Sequence, residues 1–282
     1  DNAVTEILGS DTDGSDIQLG QLLVSGGTLN LKSLTGGVAA SSVLLTDGAI
    51  TADSVTRSIT ATNNVKIAGN LSATGAVATN GGDMSVGATG TPFVLASTGG
   101  DITIGGNVSA GGDGTARAMQ LNAKNINVTG RVVALNNGTL IFGTDANQNL
   151  NVIGDVDAAN GIIEVYAGNA TAASWAGNLI LHGGNITAQT GNINFSSGLV
   201  FNDSVLTQPA QGVWVKDGTE LTLITETPNE PNNGNIMLGA LNLGSGKKLT
   251  MNSAAKIISV TGDYKTNGTL KINAPDATFT GG

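Results

Sequence analysis

His182 is the single histidine of the chain, so any Ser-His-Asp relay or imidazole-bound metal would have to pass through it. It lies near the end of NLILHGGN, where an apolar run meets a glycine pair, and reads as an incidental residue at a strand end and corner. Carboxylates offer a second chemistry. Asp155 and Asp157 stand two apart in GDVDA and share a strand face opposite Val156. Arg131 and Val133, and before them Asn107 and Ser109, occupy the equivalent positions of earlier repeats. Acids beside an arginine on one face are what a polysaccharide lyase or hydrolase would use; a solvated face of stacked charges has the same composition and is the commoner arrangement. Trp175, Trp214, Tyr166 and Tyr264 are spread along the chain and form no evident sugar platform.

The remaining motifs are weaker. DTDGSD, residues 11 to 16, puts Asp11, Asp13 and Asp16 on one loop, as a hard cation would require. The twelfth position of an EF-hand count is Leu22, however, so a solvated acidic turn is expected. GGDGTARAM, residues 111 to 119, approaches the calcium nonapeptide of repeat-in-toxin proteins, but Ala116 stands where the ligand Asp is needed. GSGKKL has a P-loop's Gly-Lys without its first glycine, since Leu241 is there, and Lys248 replaces the Ser or Thr. Asn-x-Ser/Thr triplets at Asn70, Asn107, Asn127 and Asn185 are what an Asn-, Ser- and Thr-rich chain produces by chance. No residue is therefore assigned a catalytic, cofactor-binding or metal-ligating role, and no cofactor is expected.

What must position such residues is a repeat. GDMSV from Gly82, GNVSA from Gly106, GRVVA from Gly130, GDVDA from Gly154 and GNLIL from Gly177 follow one another at steps of 24, 24, 24 and 23. A second series runs through Gly114, Gly138, Gly161 and Gly184, and a third aligns Ile102, Ile126 and Leu150 beside Ile104, Val128 and Val152. Side chains alternate along a strand, which stacks Met84, Val108, Val132, Val156 and Leu179, with Val86, Ala110, Ala134, Ala158 and Leu181 beside them. The second series likewise stacks Leu140, Ile163 and Ile186. Short alternating runs between Gly-Asn and Gly-Asp turns are strands, and no stretch carries a capped helical stripe.

Three short strands per coil of about 23–24 residues describe an all-β chain folded as a right-handed parallel β-helix, a β-solenoid. About twelve coils would make a rod of roughly 55–60 Å at strand spacing. We expect one continuous domain over residues 1–282, most regular over 80–200, with a polar, proline-bearing excursion at 226–235, ETPNEPNNGN. Composition agrees: 42 glycines serve corners, and the 40% hydrophobic residues are nearly all aliphatic, with only 3% aromatic. A net charge of −9 leaves no basic surface for nucleic acid. Without cysteine there is no disulfide, thiolate site or thiol nucleophile. No apolar run is long enough to span a bilayer. DNAVTEILGSDTDG has neither region of a signal peptide, as expected of a processed exported chain, a cytoplasmic one or an excised fragment alike.

The texture of GGDITIGGNVSAGG, GNLSATG, GNITAQTGNINFSSG and TNGTLKI resembles the repeat regions of filamentous-haemagglutinin-like exoproteins and autotransporter passengers. NEPNNGNI is similar in part to the Asn-Pro-Asn-Gly-Ile motif of two-partner secretion domains, with the order broken. The resemblance implies a β-helix exported by a Gram-negative bacterium to its outer surface, serving as an adhesin or surface fibre. Such a role implies partners among host or neighbouring-cell surface or matrix glycans, while the unpaired strand edge of a terminal coil makes self-association through the solenoid ends an expectation of the fold itself. Because the chain ends on TFTGG within the same grammar, a secretion or anchoring part is expected beyond it.

Overall fold

The computed structural model describes residues 101–111, 118–201, 212–216, 218–225, 234–253 and 257–281 with their side chains, save that of Ala159, and the backbone of the strands between Val4 and Ser97. Regular structure among these residues is strand, paired in parallel with partners far away in sequence. Parallel pairing requires the chain to travel around and return in the same direction, and here the return passes through two other strands. The outcome is an all-β fold of parallel strands in stacked sheets.

Three register columns run through the stack. The first links Ile17, Val38, Ile59, Val77, Ile102, Ile126, Leu150, Ala170, Ile186, Leu223, Met251 and Ile272, twelve strands in succession. The second passes from Met84 through Val108, Val132, Val156, Trp175, Ile193, Ile236 and Ile258 to Ala277. The third includes Leu95, Leu121, Phe142, Val165, Leu181, Val215, Phe201, Leu243 and Thr266. The expected period-2 alternation is met: Ile102 and Ile104 are fully buried on either side of the half-exposed Thr103. The core is mainly Ile, Leu, Val and Ala, yet the few rings are gathered into it, with Trp175, Phe142, Phe195 and Phe201 its largest side chains. The Trp175 indole Nε1 donates to the Thr187 carbonyl at 2.9 Å, which satisfies its one polar atom.

The repeat columns of the sequence are in register as far as Val156, Leu150 and Ile163, and beyond there they are not. Trp175, rather than Leu179, follows Val156; Leu179 follows Ile163, and Ile186 belongs to the column of Ile102. Gly177 lies against Ala158, while Ala173 takes the next place after Gly154, its amide donating to the Gly154 carbonyl. Gly184 meets Gly168 rather than Gly161. The physical reason is that two corners shorten in turn: residues 143–148 between the third and first columns are replaced one level on by 166–168, and the bend between the second and third columns contracts at the level after that. Along the first column the step from Asn125 to Asn149 is 24, but that from Asn149 to Asn169 is 20 and that from Asn169 to Asn185 is 16. The strands Val156–Val165 and Trp175–Leu181 pass straight through the bend that Leu135–Gly138 forms as a separate turn one step earlier. In that turn Asn136 and Asn137 both hold positive φ, 48° and 61°, the region asparagine tolerates.

The third column also contains one strand more than its neighbours at one level. Val213–Val215 is inserted between Trp175–Leu181 and Leu199–Phe201, although Leu199–Phe201 precedes it in sequence. On the other two columns, Ile186 is followed directly by Leu223, and Ile193 by Ile236.

Candidate functional site

His182 does sit at a strand end, as its sequence context suggests, but it is not incidental. Its Nε2 lies 2.8 Å from Oε1 of Glu164, with both side chains nearly covered (9% and 14% exposed). Its ring stacks on that of Tyr166, centroids 3.7 Å apart and 12° from parallel. Register explains the meeting. Glu164 faces Ile180 across adjacent strands, and the residues just beyond, Tyr166 and His182, leave those strands side by side. Lys216 follows on the inserted strand, its amide donating to the Leu181 carbonyl, and its Nζ lies 5.7 Å from the Trp214 ring centroid. Burial pushes the Glu164 carboxyl up, but hydrogen bonds from His182 and Tyr166 and the positive charges of His182 and Lys216 outweigh it, leaving the carboxyl below its ordinary 4.5. The cluster ties three strands together, and its chemistry is that of charge pairing and ring stacking.

The Asp–Arg patch forms only in part. Arg131 Nε is 3.6 Å from Asp155 Oδ2, with both side chains about half exposed, and Asp155 also accepts from the Ser174 hydroxyl at 2.6 Å. Asp157 lies in register with Val133 and Ala176 and belongs to no ion pair among the described residues. A lone exposed pair of this kind contributes little in water, and Asp155 and Asp157 do not converge with Arg131 on one point. GSGKKL is a turn: Gly246 has φ +75° with open space around it, Lys247 donates to the Gly218 carbonyl at 3.0 Å, and Lys248 pairs with Glu220 at 3.1 Å. DTDGSD, the central residues of GGDGTARAM, and residues 226–233 of the polar excursion lie outside the described residues. Among the described residues no group of three His, Asp or Glu stands close enough to hold a metal ion, and no helix is long and apolar enough to cross a membrane.

One polar feature has no counterpart in the motif reading. The amide of Asn125 donates to Asp101, Asn149 to Asn125, Asn169 to Asn149 and Asn185 to Asn169, at 2.8, 2.9, 3.3 and 2.9 Å. The five residues form a side-chain ladder along the corner before the first column. Its signal is present in DITIG, NINVTG and NLNVIG, where Asp or Asn stands one place before each aligned Ile or Leu. Asn185 thereby commits the nitrogen that an Asn-x-Thr modification would use.

A second feature is an open cavity of about 350 Å³ beside the last strands of the third column, lined by Val200, Ala240, Leu241, Asn242, Asp263, Tyr264 and Lys265. Tyr264, one of the scattered aromatics, is 42% exposed there. When the chain was compared with family models, curated proteins and solved structures, none matched.

Proposed function

We propose that the chain is a non-enzymatic, exported bacterial surface protein, an adhesin or structural fibre whose scaffold is a right-handed parallel β-helix. The observation that carries this reading is the use made of the side chains. Among the described residues, the three register columns from Ile102 to Val260 fill the interior with side chains at or near zero exposure, which leaves no room there for a substrate. The polar residues at the corners are largely engaged with each other, as in the Asp101–Asn185 ladder. Such a stack is a spacer and a display surface, with binding confined to its outer faces. Unpaired strand edges at the end of any parallel stack also favour self-association. Export and surface location rest on the resemblance of the repeat texture to filamentous-haemagglutinin-like exoproteins, and agree with the absence of cysteine.

The test is twofold. Beads carrying residues 1–282 should adhere to glycan- or matrix-coated surfaces, and electron micrographs of the purified protein should show rods or end-to-end assemblies. Beads that do not adhere, together with monodisperse short particles under all conditions, would remove the proposal. Release of products from pectin or alginate, abolished by Asp157→Asn, would instead identify a β-helical polysaccharide lyase or hydrolase.

A further inference from the structure

We infer that the outer face of the first column, over its strands between Ile102 and Ala188, binds ice: it is a neutral grid of asparagine and threonine that anchors lattice water. Alternation decides which side chains make this face. Ile102, Ile126, Leu150, Ala170 and Ile186 are at most 1% exposed, and the residues on either side of each are not buried. One outward rank is the ladder from Asp101 to Asn185. The other holds Thr103, Asn127, Asn151, Thr171 and Thr187, register partners on successive strands. Asp101, at the foot of the ladder, is the one charge among these positions. At the same levels the second column turns Arg131, Asp155 and Asp157 outward, and the third Ile141, Glu164 and Ile180. Neutrality on the first face is therefore not a by-product of the fold.

Strands disfavour asparagine, so its recurrence here needs a reason. Bonding along the ladder supplies one for the first rank. In the second rank, Thr103, Asn127 and Thr187 have no side-chain partner among the described residues. What the two ranks share is a fixed grid. Parallel pairing spaces their side chains by about 4.8 Å along the stack, and alternation by about 6.6–6.8 Å along each strand. Oxygens on a prism face of hexagonal ice repeat at closely similar distances in two perpendicular directions. Each middle amide of the ladder spends one N–H and one oxygen lone pair on its neighbours, and keeps one of each for water. Its rotamer is already held, so ordering it against a lattice costs little further entropy. Thr171 is held in the same way, its hydroxyl donating to Asn151 at 2.8 Å. Hydroxyls and amides exchange liquid water for lattice water with their hydrogen bonds kept, whereas an ion would have to shed its hydration shell. Ice takes up no ions, and a face without charge is what it selects.

This inference goes beyond the adhesive reading, since ice binding needs neither a glycan nor a filament, and the probe is ice itself. Labelled protein, residues 1–282, should be taken up into a growing ice hemisphere, shape ice crystals into facets and show thermal hysteresis in nanolitre osmometry. Asn127→Lys and Thr187→Lys break no bond of the ladder, yet each should lose both uptake and hysteresis. Asp157→Lys, on the neighbouring face, should keep both. Circular dichroism and the denaturant midpoint should be unchanged in all three variants, so that a loss reads the face and not the fold. The inference is overturned if the parent is excluded from ice as labelled albumin is, or if both face variants behave as the parent does. Equal loss in Asp157→Lys would also overturn it, because the first face would then have no special part. Adsorption to microcrystalline cellulose without uptake into ice, lost in the same two variants, would assign the face to a neutral polysaccharide and overturn it as well.

Discussion

At Glu164 burial and pairing act in opposite directions, and pairing prevails. A carboxyl that ionises more readily in the folded chain than in the unfolded one contributes stability above its ordinary range and loses it as pH falls through the lower, native value. The stability that the Glu164 carboxylate contributes should thus be present above about pH 4.5 and be lost as the pH falls through its lower native value. Glu164→Gln should cost about 2 kcal/mol at pH 6, the scale of a hydrogen bond to a charged group. Urea unfolding at pH 6 and pH 3 reads this directly: the variant should lose less stability between the two than the parent, and equal losses would refute the assignment. The partner of His182 was not legible in the sequence. Counting back one dominant period from it reaches Ala159 or Ala158, whereas the stacked residue, Tyr166, stands nearer because the intervening step is short. Gly154, by contrast, was legible as a corner. A Cβ there would lie 2.5 Å from the Gly130 carbonyl oxygen, so Gly154→Ala should cost about 2–3 kcal/mol as an overpacked backbone contact. Gly246→Asn, with a φ that asparagine tolerates and open space around it, should change thermal stability by less than about 0.5 kcal/mol.

Between neighbouring strands, the unit of stabilisation is the pair of residues held in register, and the Asp101–Asn185 ladder makes that measurable. Asn149 both donates to Asn125 and accepts from Asn169, whereas Asn185 stands at the end and donates to Asn169. Replacing the middle residue leaves two groups without partners, and replacing the end leaves one. Asn149→Ala should therefore cost about 1–2 kcal/mol and Asn185→Ala about half as much, each read from denaturant midpoints. Within a connected ladder the double variant should cost less than the sum of the two. Equal and additive costs would mean that the amides are bonded to water in effect. The first three rungs could be read from the dominant sequence period. Asn169 and Asn185 could not, because the corner of residues 143–148 is replaced by the shorter 166–168 one level on, and Trp175–Leu181 then absorbs the next bend. Periodicity in sequence reports loop length plus strand length, while register reports only which strands touch. The two agree while corners keep one length, and the mis-stacked Leu179 and Ile186 mark where they part.

For the molecule as a whole, the doubled strand has a consequence that no single contact reveals. Between the levels of Leu181 and Leu243 the third column holds both Val213–Val215 and Leu199–Phe201, while each of the other columns holds one strand over the same interval. One extra strand lengthens that side by about 4.8 Å. Set against a packed interior roughly 10 Å across, this tilts the upper levels by about 25° away from the third column. We therefore expect the stack to bend about two thirds of the way along. Deleting residues 202–215 joins Phe201 to Lys216. Phe201 and Val215 occupy the same register column, so the remaining strand can pair with Trp175–Leu181 and feed the same exit. The deleted chain should keep its β circular dichroism and be straight in averaged electron micrographs, whereas the parent should show one bend at a fixed position. A straight parent would show that the extra strand is accommodated by fanning within the third column. Loss of cooperative folding on deletion would show instead that the inserted strand, whose Trp214 is only 5% exposed, is part of the core and has no simple bypass.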